Sequence, residues 1–125
     1  MMKEFLLVGI GSFLGGGMRF LVSKAMISWM ASSFPLGTFT VNIIGCLIIG
    51  FVSGLPLGGW FSPNTKLILT TGFCGGFTTF STFMNENSSL AKDGNFTLAA
   101  LYIFASLAIG FLCVTAGHQL AKTFQ

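Results

Sequence analysis

The sequence predicts an all-α membrane protein in which four helices cross the bilayer. Of its 125 residues, 53% are hydrophobic and only 7% are charged, and the mean hydropathy is +0.85. Soluble domains carry about 25% charged residues, so this composition excludes an ordinary cytosolic enzyme, a disordered region and a nucleic-acid-binding protein. The net charge of +3 comes from residues scattered along the chain, which form no phosphate-binding patch.

Charge-free segments and turn residues define the four helices. The stretch 25–65 carries no charge and is too long for one span of about 20 residues. It is divided at Pro35-Leu36-Gly37 and at Leu55-Pro56-Leu57-Gly58-Gly59. Ser62-Pro63 is typical of a helix start, and Asp93-Gly94-Asn95 is typical of a turn. The chain is therefore expected to be one domain, 1–125, with helices at 4–30, 36–54, 63–91 and 95–121, the first of them retained rather than cleaved as a signal peptide.

The basic residues give no preferred orientation. Four spans would put three of them on one side of the membrane and three on the other: Lys3, Lys66 and Lys122 against Arg19, Lys24 and Lys92. Orientation follows the Lys/Arg bias of short loops, and here that bias is zero. Either the insertion machinery overrides a weak signal, or the chain inserts both ways round and two opposed copies pair as an antiparallel dimer.

The strongest local feature lies in the middle of the third span, from Thr70 to Phe83. Three Gly within five residues are followed by four Ser/Thr within five, a composition that weakens a helix. One interpretation is a close-packing glycine patch with hydroxyls bonded back to the helix. The favoured one is a helix broken at the midplane, which is tolerated in hydrocarbon only when it is buried in protein or lines a wet cavity. Carbonyls freed by such a break would suit a hard monovalent cation.

Uncharged groups that could meet an anion lie in and near this motif. Phe80 and Phe83 are three apart and share a helix face, and the edge of an aromatic ring is positive. Ser81 and Thr82 add hydroxyl donors on neighbouring faces. Asn42, the only amide of the second span, would either join two helices or offer its NH₂ group to an anion. Core packing remains the alternative for the phenylalanines.

Other features are weaker or negative. In the last span, small or polar residues recur every fourth position, at Tyr102, Ser106 and Gly110, a pattern that fits packing or a pathway equally well. The acidic residues, Glu4, Glu86 and Asp93, are expected towards span ends, whereas proton-coupled transporters need an embedded carboxylate. The three cysteines, Cys46, Cys74 and Cys113, are expected to be packing residues. The sequence contains no nucleophile or metal-ligand constellation typical of an enzyme.

Three motifs in order carry a family resemblance. They are Gly15-Gly16-Gly17-Met18-Arg19-Phe20, Gly37-Thr38-Phe39-Thr40-Val41-Asn42-Ile43-Ile44-Gly45, and Gly72-Phe73-Cys74-Gly75-Gly76-Phe77-Thr78-Thr79-Phe80-Ser81-Thr82-Phe83. Over essentially its whole length the chain resembles the CrcB/Fluc family of fluoride ion channels.

The resemblance implies an antiparallel dual-topology homodimer of four-helix subunits with two fluoride pores and a third helix broken at midplane. It implies a structural sodium ion on the dimer axis, held by main-chain carbonyls at Gly75 and Thr78. It places Arg19 near the vestibule. The fluoride pathway that it implies comprises Asn42, Phe80, Ser81, Thr82, Phe83 and Ser106. Gly110 stands where the family often carries a second Ser, so the chain departs from the family there.

Three functions follow as hypotheses. The first is passive export of fluoride across the bacterial cytoplasmic (inner) membrane, with a second copy, fluoride and lipid as partners and no nucleic acid. The second is a small dual-topology cation/proton antiporter of the multidrug type, which shares the size, span number and charge balance. The third is a non-transporting membrane subunit that packs through its glycine faces.

Overall fold

The computed structural model describes residues 1–30 and 32–124, and the regular elements of this part of the chain are helices. In chain order these are α1 (Met2–Trp29), α2 (Leu36–Gly54), α3 (Pro63–Leu67), a π-helical segment (Ile68–Cys74), α4 (Gly75–Phe77), α5 (Ser81–Lys92) and α6 (Phe96–Lys122). Four stretches of the described residues are long and apolar enough to cross a membrane: Met2–Trp29, Leu36–Gly54, Pro63–Lys92 and Phe96–Lys122. The all-α, four-span prediction is confirmed, with helix ends close to those expected.

The predicted helix boundaries have local causes. Ser62 caps α3, since its Oγ accepts the backbone N–H of Thr65 at 3.2 Å, and Pro63 follows it. The turn between α5 and α6 needs Gly94, whose φ is +81°. In the loop before α3, Gly59 has a φ of +58°, and an antiparallel bridge joins Gly58 to Phe61.

Glycines bring α1 against the third span. A methyl group on Gly11 would lie 2.5 Å from the carbonyl oxygen of Ile68, and one on Gly76 would lie 2.5 Å from that of Ser12. Gly15 is similarly crowded by the carbonyl of Phe73. Gly11 and Gly15, four residues apart, thus form a small-residue helix contact, and the short approach lets the Ser12 hydroxyl donate to the carbonyl of Gly72 at 3.1 Å.

Helices α2 and α6 lie side by side and run in the same direction. Early in both helices, Thr38 of α2 and Tyr102 of α6 both donate to the carboxylate of Glu86. Further along, Gly50 of α2 touches the backbone of Val114 of α6. Tyr102 is fully buried and is the centre of an aromatic cluster. Its ring centroid lies 4.9 Å from that of Phe83 and 5.2 Å from that of Phe34. This cluster fixes α5 against α2 and α6.

The third span changes its backbone geometry along its length. It begins as α-helix, continues as the π-helical segment and returns to α-helix for one short turn, α4. At Thr78 the backbone is extended, with φ −89° and ψ 160°, and α5 starts at Ser81. The residues between α4 and α5 therefore have main-chain groups that helical hydrogen bonds do not use.

Candidate ion pathway

The peptide group of Thr79 is held by one side chain. The Nδ2 group of Asn42 donates to the Thr79 carbonyl at 3.0 Å, and its Oδ1 accepts the Thr79 N–H at 2.8 Å. In a continuous α-helix that N–H would bond to the carbonyl of Gly75. Asn42 therefore takes the helical donor away from the Gly75 carbonyl.

A second backbone N–H, that of Thr82, is diverted from its helical acceptor one turn later. The N–H of Thr82 bonds to Oγ1 of Thr79 at 3.3 Å, whereas a continuous helix would direct it to the carbonyl of Thr78. The Thr79 hydroxyl in turn donates to Oγ1 of Thr82 at 3.1 Å. The carbonyls of Gly75 and Thr78, which the resemblance assigns to sodium, are thus the two whose helical donors are taken by side-chain oxygens.

Arg19 of α1 bonds to the carbonyl of Gly76, which lies between Gly75 and Thr78 in the chain. Its Nε donates to the carbonyl of Gly76 at 3.0 Å, where a continuous helix would use the N–H of Phe80. Among the described residues, no group of three or more His, Cys, Asp or Glu could hold a metal.

An open groove of about 690 Å³ joins most of the predicted pathway. Its lining includes Asn42, Gly75, Thr78, Phe80, Phe83 and Ser106. The rings of Phe80 and Phe83 lie 6.1 Å apart, but the first is 73% exposed and the second only 6%. Ser106 places a buried Oγ there that has no hydrogen-bond partner among the described residues.

A second cavity, of about 830 Å³, holds Arg19 and Thr82 together with Thr38, Thr79 and Glu86. Thr79 lines both spaces, so its side chain and peptide lie between them. Ser81 lines neither. It is exposed, and its hydroxyl is 3.5 Å from Oγ1 of Thr79. The structure thus brings the other five predicted pathway residues to two adjoining spaces and leaves Ser81 beside them.

Glu86 lines the second cavity, and the sequence reasoning gave it no part in the site. Its two carboxylate oxygens accept hydrogen bonds at 2.8 Å, one from Thr38 and one from Tyr102. Glu86 lies towards the end of the third span, as expected, and its side chain is half-buried and lines the cavity. One signal was available: Glu86 follows Phe83 by three residues, so the two share a face of α5.

With this geometry in view, the relationship to known proteins is specific. Residues 6–118 match the family described as CrcB-like protein, Camphor Resistance. The chain belongs to this family. A relative in Chlorobaculum tepidum, named fluoride-specific ion channel FluC, is 49% identical over 99% of this chain and 98% of its own length. Relatives of the same name are 50% identical in Chlorobium phaeobacteroides, over 96% of this chain and 93% of the relative, and 42% identical in Maridesulfovibrio salexigens, over 97% of each.

The four spans and this family membership together make the chain a multi-pass protein of the bacterial inner membrane. CrcB-like proteins are transporters rather than enzymes, in keeping with the sequence prediction.

Proposed function

We propose that this CrcB-like chain is a fluoride-selective channel that lets fluoride leave the cytoplasm passively. The observation that carries the proposal is the groove in which Asn42, Phe80, Phe83 and Ser106 meet, in a chain similar along its whole length to fluoride-specific channels. Export down a gradient needs no energy source and lowers the cytoplasmic fluoride concentration.

The chemistry of the groove suits a small, strongly hydrated anion. A pore must replace the water of fluoride with several donors and still release the ion. Asn42 uses one hydrogen of its NH₂ group on Thr79 and keeps the second, and the Ser106 hydroxyl is also free to donate within the described chain. The positive edges of Phe80 and Phe83 add attraction without a formal charge that would hold the ion too long.

The second cavity is suited to be the entrance. Arg19 contributes a positive charge there that would attract an anion from water. Glu86 lies on the same wall, but Thr38 and Tyr102 each donate to it, which spreads and partly offsets its negative charge. Thr79 and Thr82 would then pass the ion towards the groove.

Two features of the protomer support a homodimer. The groove lies open within a span, and main-chain carbonyls without helical donors are not stable against lipid. A methyl group on Gly75 would meet no atom of the described residues within 4 Å, so the protomer itself does not explain why a glycine is there. A second copy lying over Gly75 and Phe80 would cover both, and the equal numbers of basic residues on the two sides suit an antiparallel pair.

The diverted hydrogen bonds support a broken third helix at the midplane and a cation beside it. The carbonyls of Gly75 and Thr78 fit a sodium ion because they are hard oxygen donors with no helical N–H assigned to them. Such an ion would supply a fixed positive charge that lowers the cost of an anion in a low dielectric. Asn42 and Thr79 hold the two carbonyls ready for this role.

Anion efflux from liposomes tests the proposal. Vesicles containing the purified chain should release fluoride and retain chloride when a potassium ionophore balances the charge, as read by ion-selective electrodes. Phe80→Ile or Phe83→Ile removes a ring edge and should slow fluoride release by about tenfold, the equivalent of roughly 1.4 kcal/mol.

Phe104→Ile is the matched control, because Phe104 is an exposed ring of α6 outside both spaces, and it should release fluoride at the wild-type rate. Equal chloride release would contradict selectivity. Transport of organic cations that depended on Glu86 would favour the antiporter instead.

A further inference from the structure

Two rows of side chains face each other between α2 and α6, and part of each row lines the groove. α2 carries Thr38, Asn42 and Cys46 at every fourth residue, and α6 carries Tyr102, Ser106 and Gly110 at the same spacing. Residues four apart lie on one helix face, and the two helices run in the same direction. The rows therefore pair level by level, one helical turn at a time.

Contacts fix the first and last levels. Thr38 and Tyr102 both donate to Glu86 at 2.8 Å. At the other end, a methyl group on Gly110 would lie 3.3 Å from Sγ of Cys46. The thiol therefore fills the space above Gly110, where α6 offers no side chain of its own.

The middle level indicates what the rows are for. Asn42 and Ser106 both line the groove, and the buried Oγ of Ser106 has no partner among the described residues. A buried hydroxyl without a partner costs free energy unless something enters to bond with it. Between α2 and α6, the next donor along the same groove is the thiol of Cys46, one turn after Asn42, since Gly110 lacks a side chain.

We propose that the Cys46 thiol is a further donor of the fluoride pathway and replaces a side chain absent at Gly110, so that a soft metal ion bound to this sulfur blocks permeation. The proposal rests on the proposed fluoride channel. When a mercuric ion binds, a sulfur–mercury bond forms, the S–H bond breaks and the proton passes to water. The other cysteines are less suited, since Cys74 is only 2% exposed and Cys113 lies outside the groove lining.

Fluoride efflux from liposomes tests the donor. Cys46→Ala should slow release by roughly fivefold, the rate equivalent of one net hydrogen bond. Cys46→Ser, which keeps a donor, should be faster than the alanine variant. Adding Gly110→Ser to Cys46→Ala should recover much of the loss, because the new hydroxyl enters the space that the sulfur leaves. Cys113→Ala, the same change on the neighbouring helix, should match the wild type.

Mercuric chloride tests the block. It should stop release by the wild type and by the double variant Cys74→Ala/Cys113→Ala, whose remaining cysteine is Cys46, and it should spare Cys46→Ser. Size-exclusion profiles in detergent establish that each variant is folded.

The proposal is overturned if Cys46→Ala releases fluoride at the wild-type rate or if adding Gly110→Ser to it restores nothing. It is also overturned if mercuric chloride still blocks Cys46→Ser. A wild type that releases no fluoride before any reagent is added would instead reject the channel itself.

Discussion

At the scale of single residues, the contacts of Asn42 are compatible with both of the roles that the sequence presented as alternatives. Its amide bonds to the N–H and the carbonyl of Thr79 at 2.8 and 3.0 Å, which is a tertiary contact between α2 and the third span. An NH₂ group has two hydrogens, so one remains for an anion in the groove. Holding the backbone and offering a donor are compatible in one side chain.

Replacing this amide should reduce both stability and transport. Asn42→Ala leaves the N–H and carbonyl of Thr79 without their partners, at a cost of about 1–3 kcal/mol for each group that stays unpaired. We expect a lower thermal unfolding midpoint in detergent and a large loss of fluoride efflux. Asn85→Ala, the same change at an exposed position of α5, should alter neither measurement. A variant that unfolds earlier but conducts normally would favour a purely structural role.

At the scale of elements, glycines let α1 pack closely against the π-helical segment and α4 of the third span. Gly11, Gly15 and Gly76 allow the two backbones to touch, and Ser12 and Arg19 then reach the carbonyls of Gly72 and Gly76 at 3.1 and 3.0 Å. The side chains of α1 thus bond to one carbonyl of the π-helical segment and to one carbonyl of α4. Close packing is what makes these bonds possible.

Two glycines of α1 give a matched test of this contact. Gly11→Ala puts a methyl group 2.5 Å from the Ile68 carbonyl, and overpacking of this kind costs about 1–3 kcal/mol. Gly9→Ala meets no atom of the described residues within 4 Å and gains up to about 1 kcal/mol of helix propensity.

Thermal unfolding in detergent should therefore rank the Gly9 variant at or above the wild type and the Gly11 variant clearly below it. Equal midpoints for the two variants would show that the α1 contact does not stabilise the chain.

The elements and the site differ in how far the sequence predicts them. Hydropathy and turn residues predict the four spans, since length and polarity decide whether a segment can cross a bilayer. The bonding of the Thr79 peptide, next to the extended backbone at Thr78, depends on Asn42, which is 37 residues away on α2. Glu86 was missed for a similar reason, because its donors Thr38 and Tyr102 come from two other helices.

At the scale of the whole molecule, the protomer has a surface that is difficult to reconcile with lipid alone. Phe80 is 73% exposed beside Asn42, Gly75 and Thr78, which together form a polar strip within an apolar span. The basic residues do not favour either orientation, and Arg19 and Lys24 lie inside α1 rather than in a loop. Both features are explained if each copy inserts at random and opposed copies cover one another.

Shifting the charge balance should separate the two orientations. One double variant, Lys66→Gln/Lys122→Gln, leaves the excess of basic residues on the side of Arg19, Lys24 and Lys92. The other, Lys24→Gln/Lys92→Gln, leaves the excess on the side of Lys3, Lys66 and Lys122. Because the side with more Lys and Arg stays cytoplasmic, each double variant should insert mainly one way. Alone, each should protect cells poorly against fluoride, and co-expression of the two should restore protection. Cysteine labelling shows on which side of the membrane the termini of each variant lie. If a variant whose termini all lie on one side still protects cells fully, the working assembly is parallel or monomeric.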